Sequence, residues 1–179
     1  MIDFAQNYFE LFGVAPSFQI DQAVVTDRYR QLQRELHPDR FANQGAEEQR
    51  LSVQFTSHIN TAYQTLKSPL LRAEYLLSLV GHPVNSDSLT ISDHDFLFKQ
   101  MEWREVLSEL PGGLESIDVQ SKLDHLALEV NNERQQFLVQ FEEMYKHQQY
   151  KQAMTLVAKL HFVEKMLTEI ERLEESLFE

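Results

Sequence analysis

The sequence predicts an all-α protein in two parts, a helical hairpin followed by a three-helix bundle, on three observations. Only five Gly and five Pro interrupt 179 residues rich in Leu, Glu and Gln, a composition that favours helix. Val25, Tyr29, Leu32 and Leu36 recur at i, i+4, i+7 and i+11, the spacing of one buried helical stripe. Towards the C-terminus Leu156, Leu160, Val163, Leu167, Ile170 and Leu177 alternate by four and three, with Glu174 as the one polar seam position. That pattern is coiled-coil-like, and no β-hairpin signal or internal repeat competes with it.

In chain order, a short helix is expected over Gln6–Phe12, closed by Gly13 and then Pro16. Asp21 caps a second helix that runs to Leu36, where Pro38 removes a backbone donor and pushes His37 out of the α region. A loop from His37 to about Ala46 contains Asn43-Gln44-Gly45 and leads into a third helix ending at Lys67. Its inner side carries Leu51, Phe55, Ile59, Ala62, Tyr63 and Leu66. Two long helices on a short loop pack antiparallel. Ser68-Pro69 then starts a short apolar helix, Leu70–Val80, stopped by Gly81. Residues 82–92 read as a linker between domains 1–81 and 93–179. Ser92 or Asp93 caps a helix that ends near Leu110, before Pro111-Gly112-Gly113. The rest is helical, with a break near His147–Tyr150.

A formal net charge of −12 argues against nucleic acid or an anionic membrane surface as the main partner. The absence of cysteine excludes disulfides, thiolate nucleophiles and Cys-ligated zinc or iron–sulfur clusters on this chain. No signal or transit pattern is visible at the N-terminus, and no apolar run approaches membrane-spanning length. A cytoplasmic monomer without cofactor is the expectation. His58, His82, His94, His125, His147 and His161 form no recognisable metal spacing, and each reads as an ordinary polar residue.

Two places stand out chemically. His37-Pro38-Asp39 sits where the second helix must stop, presenting an imidazole and a carboxylate at an exposed corner. Arg30 and Arg34 lie opposite the buried stripe, with Arg28 to one side. Taken alone, this is also what a helix stop beside a solvated face looks like. A general base with its orienter would use the same pair, but no nucleophile, metal-ligand set or phosphate loop accompanies it. The second place is the helix from Asp93. Phe96, Gln100, Trp103, Leu107 and Leu110 make one stripe for a core. Leu97, Phe98, Met101, Glu102, Glu105 and Glu109 make another, centred about half a turn away. A surface helix needs only one apolar face, so the second calls for a partner with an apolar patch rimmed by Lys or Arg.

The run Tyr29-Arg30-Gln31-Leu32-Gln33-Arg34-Glu35-Leu36, followed by His37-Pro38-Asp39-Arg40, resembles the second helix and loop of a J domain. Many J domains carry Tyr before the His; Leu36 stands there instead. Arg72-Ala73-Glu74-Tyr75-Leu76-Leu77 after Ser68-Pro69, then an acidic helix and a bundle, is similar to the HscB family, J-type co-chaperones of iron–sulfur cluster assembly. The similarity runs from Tyr8 to the C-terminus, and the lack of cysteine looks bacterial. The resemblance implies an adaptor with no catalytic site of its own. His37, Pro38, Asp39, Arg28, Arg30, Arg34 and Arg40 would contact the chaperone ATPase HscA. Leu97, Phe98, Met101, Glu102, Glu105 and Glu109, with Phe162 from the last helix, would bind the scaffold IscU. By its wheel position Phe162 lies off the Leu156–Leu177 seam, which points it outward. The apolar members of the second stripe could instead pack under the linker or the J domain. An adaptor for another client, or a helical metal carrier, also fits the residues.

Overall fold

Side-chain caps set most of the element boundaries. The computed structural model describes residues 6–41, 44–84, 91–110 and 116–177. These form α1 (Tyr8–Phe12), α2 (Gln22–Leu36), a 3-10 turn (Pro38–Phe41), α3 (Ala46–Lys67), α4 (Pro69–Leu79), α5 (His94–Glu109), α6 (Ser116–Lys146) and α7 (Tyr150–Leu177), with no strand among the described residues. The expected stop at Pro111-Gly112-Gly113, Asn43 and residues 85–90 of the expected linker lie outside the described residues. Two units divide the chain, Met1–Gly81 and His82–Glu179.

In the first unit α1 begins at Tyr8 rather than Gln6, because Asn7 closes a capping box with Glu10. The Glu10 N–H donates to Asn7 Oδ1 at 3.0 Å and the Asn7 N–H to Glu10 Oε2 at 3.1 Å, which fixes the helix start. Gly13, at φ 70°, ends it, with the Val14 N–H reaching back to the Phe9 carbonyl. Asp21 caps α2 and Ser68 caps α4, whose first residue is Pro69. The hairpin core holds Val25 and Leu32 of α2 against Ile59, Ala62 and Leu66 of α3, all buried.

Two residues of the Arg72–Leu77 run work inside this unit. Arg72 is 6% exposed; its Nη1 donates to the Leu66 carbonyl at 2.5 Å and its guanidinium lies 5.3 Å from the Phe18 ring centre. Burial pulls its pKa down from the ordinary value. The Tyr75 hydroxyl accepts from the Tyr8 N–H at 2.9 Å while the two rings stack at 4.3 Å. That bond satisfies a first-turn donor of α1 that no helical carbonyl can reach.

In the second unit α6 and α7 are long antiparallel partners. Val130, Phe137 and Phe141 of α6 pack with Ala153, Val157, Leu160, Val163 and Ile170 of α7, all buried. The break between them is a helix cap, in which the Gln149 N–H donates to the Met144 carbonyl and the Gln148 N–H to that of Tyr145. Gln148 takes φ 58° there, the left-handed position usually given to glycine. Helix α5 lies against this pair through Phe96, Trp103 and Leu110, 2–3% exposed. Asp93 caps it, accepting from the Phe96 N–H at 3.1 Å.

Candidate functional site

The corner after α2 is a 3-10 turn, not the open loop expected from the sequence. Proline presets its φ near the helical value, so Pro38 starts a tight turn that closes through Arg40 N–H to the His37 carbonyl at 3.0 Å. Inside the turn the Asp39 N–H donates to His37 Nδ1 at 3.3 Å. The Asp39 carboxylate lies 3.6 Å from the same nitrogen, and both side chains are exposed, 53% and 90%. The corner therefore exposes an imidazole and a carboxylate side by side.

Beside it, α2 presents Arg30 and Arg34 fully outward and Arg28 half-buried. Arg30 lies 3.7 Å from Asp27 in a pair whose members are 70% and 79% exposed, a contact worth little in water. Arg34 Nε donates to the Arg30 carbonyl at 3.3 Å. Arg40, expected to contact the chaperone, is exposed and its Nη1 donates to the Arg34 carbonyl at 3.2 Å. It ties the turn to α2.

The second site is the outer side of α5. Leu97, Phe98 and Met101 are 37%, 62% and 69% exposed, and Glu102, Glu105 and Glu109 stand exposed on the same side. The inner stripe packs as expected through Phe96, Trp103 and Leu110, with Gln100 and Leu107 half-buried. Two polar links set the helix against α6: Lys99 Nζ to Glu133 Oε2 at 2.8 Å, and Trp103 Nε1 to Glu129 Oε1 at 3.0 Å. Both partners step by four residues in opposite directions, so the links are successive rungs of one antiparallel register. That register fixes which side of α5 faces solvent.

Phe162, expected outward, is half-buried at the edge of α5. Its ring centre lies 5.9 Å from that of Phe96 and 6.5 Å from that of Trp103, and the Arg104 guanidinium covers it at 5.3 Å. The wheel position was right, but α5 closes over that side of α7. Sequence reasoning also missed Glu129, Glu133, Ser52 and Thr56. Ser52 could have been noticed, since it lies seven residues before Ile59, on the buried side of α3. Among the described residues no three His, Asp or Glu side chains gather into a metal-holding group.

A model described as the DnaJ domain matches residues 7–75, and one described as the HSCB C-terminal oligomerisation domain matches residues 92–171. A Shewanella loihica protein named as a co-chaperone protein HscB homolog is 42% identical, over 96% of this chain and 99% of its own length. Its Aliivibrio fischeri counterpart is 43% identical, over 96% and 98%. Among solved structures, chaperone HscB from Vibrio cholerae superposes with a TM-score of 0.85 at 37% identity, covering 96% of this chain and 99% of that one. Human co-chaperone HscB gives 0.87 at 26% identity, covering 97% and 84%.

Proposed function

This chain belongs to the HscB family of J-domain co-chaperones, and from that premise we propose that it couples two partners in iron–sulfur cluster assembly. Its J domain stimulates ATP hydrolysis by the DnaK-type chaperone HscA, and its C-terminal bundle carries the scaffold IscU to that chaperone. The observation that carries the reading is the outer side of α5, where Phe98 and Met101 stand 62% and 69% exposed beside a row of carboxylates. An apolar patch of that kind on a helix already holding a core needs a cover. Burying each large side chain there would contribute about 1.5–3 kcal/mol before association costs. A second copy would bring the same Glu102, Glu105 and Glu109 against themselves, so the patch suits a foreign, basic-rimmed partner and the chain works as a monomer.

In the J domain, Arg28, Arg30 and Arg34 steer the protein onto acids of the chaperone's ATPase domain. His37, Pro38 and Asp39 then enter its regulatory joint. Hydrolysis is triggered when the scaffold is already in place, so the client is captured. The hydrolytic chemistry belongs to the chaperone. We place this exchange in the bacterial cytoplasm, in line with the bacterial relatives.

A steady-state ATPase assay of HscA with this protein, with and without IscU, tests the whole reading. The co-chaperone should accelerate turnover, and more so with the scaffold. His37→Gln should abolish stimulation and leave scaffold binding unchanged. Retained stimulation by that variant would remove the role assigned to the corner.

A further inference from the structure

Pro38 leaves the end of α2 with carbonyls that the helix itself cannot satisfy. In an unbroken helix the Arg34 and Leu36 carbonyls would accept from the N–H groups of residues 38 and 40. Pro38 has none, and the Arg40 N–H is used by the His37 carbonyl. The Arg40 guanidinium takes the Arg34 carbonyl. The Leu36 carbonyl is taken from across the hairpin, by Ser52 Oγ at 2.9 Å and Thr56 Oγ1 at 3.3 Å. These donors sit one turn apart on α3. Ser52 is 2% exposed, in a position where an apolar residue would pack.

We propose that Ser52 and Thr56 are positioning residues for the chaperone-activating corner. The inference rests on the reading of His37-Pro38-Asp39 as that corner. Its physical basis is the planarity of the Leu36–His37 peptide. Holding the Leu36 oxygen from α3 orients the His37 nitrogen and Cα, and with them the direction in which the turn leaves the hairpin. Arg40 ties the turn to α2 alone; the two hydroxyls reference it to both helices. Without them the Leu36 carbonyl has only water to turn to, and the imidazole and carboxylate move with the frayed end of α2.

The test uses the full-length protein and the HscA ATPase, with stimulation measured against increasing co-chaperone concentration. Ser52→Ala combined with Thr56→Val removes both donors at nearly constant volume. Ser52→Thr combined with Thr56→Ser keeps both. The first variant should lose roughly five- to tenfold in maximal stimulation, the fold-change that a net hydrogen bond is worth. Its half-stimulating concentration should change by less than about twofold, because the arginine face is untouched. The hydroxyl-exchanged variant should recover the maximum. Amide residual dipolar couplings of His37, Asp39 and Arg40, referred to α2 and α3, should change only in the first variant. Unchanged maximal stimulation or unchanged couplings in that variant, once folded, overturns the proposal. If it does not fold, Thr56→Val alone is held to the same criteria with a loss of roughly two- to threefold expected. A wild-type protein that stimulated no chaperone would remove the corner's assignment itself, a separate failure.

Discussion

Lys159 of α7 donates to Asp93, the cap of α5, at 2.5 Å. One carboxylate oxygen of Asp93 takes the ammonium while the other holds the Phe96 N–H. Lys159 keeps only 11% of its side chain exposed and lies 5.3 Å from the ring centre of Phe96 and 5.1 Å from that of Phe137. Helix α5 is thus pinned to α7 at its beginning and to α6 at Lys99 and Trp103.

This pin has a defined pH dependence. The Lys159 hydrogen bond, followed by that from Phe96, holds the Asp93 carboxyl below its ordinary pKa. A depressed folded-state value gives a stabilisation that is complete above the unfolded value, about 3.9, and lost as pH falls through the lower folded value. Lys159→Met should lower the stability of the C-terminal unit by about 0.5–1.5 kcal/mol at neutral pH, the part-exposed carboxylate being screened by solvent. The difference from wild type should shrink in strong acid. Urea melts at about pH 7 and about pH 3 read both, and equal midpoints at neutral pH would contradict the pin.

Replacing Leu97, Phe98 and Met101 together by Ala should leave the fold intact, each change costing within about 0.5 kcal/mol because the groups are exposed. Scaffold affinity should fall at least about a hundredfold. Stimulation of the chaperone without client should be unaltered. Calorimetric titration with undiminished affinity would take the second site out of the account.

The arginine face should act mainly on encounter. Arg30→Ala with Arg34→Ala should raise the half-stimulating concentration roughly three- to tenfold at low ionic strength, and much less at about 0.5 M salt. Maximal stimulation should stay near that of the unaltered protein. A salt response identical in variant and wild type would show that these charges do not steer.

Where one local cause decides the outcome, the sequence was sufficient. Asp21 capped α2 as expected, Asp93 proved to be the cap of α5 out of Ser92 and Asp93, and Gly13 stopped α1. The two stripes of α5 were legible because a single period generates both, and the structure leaves Phe98 and Met101 outside. What could not be read required knowing who stands opposite. Arg40 belongs to the basic run by sequence, but the carbonyl orphaned by Pro38 draws it back. Ser52 and Thr56 acquire a role only when the end of α2 lies beside them. Phe162 faces away from its own seam, yet Phe96, Trp103 and Arg104 close around it. The rungs through Glu129 and Glu133 depend on an axial offset between two helices that no single-helix pattern encodes.

Because α5 serves its own bundle on one side and offers Leu97, Phe98 and Met101 on the other, its residue count is locked. Deleting one residue between Phe98 and Glu102 would rotate everything downstream by about 100°. Glu105 and Glu109 would swing out of line with Phe98, and Trp103 would leave its hollow. The helix is written twice over the same 16 residues, so insertions and deletions are barred there even where single substitutions are harmless.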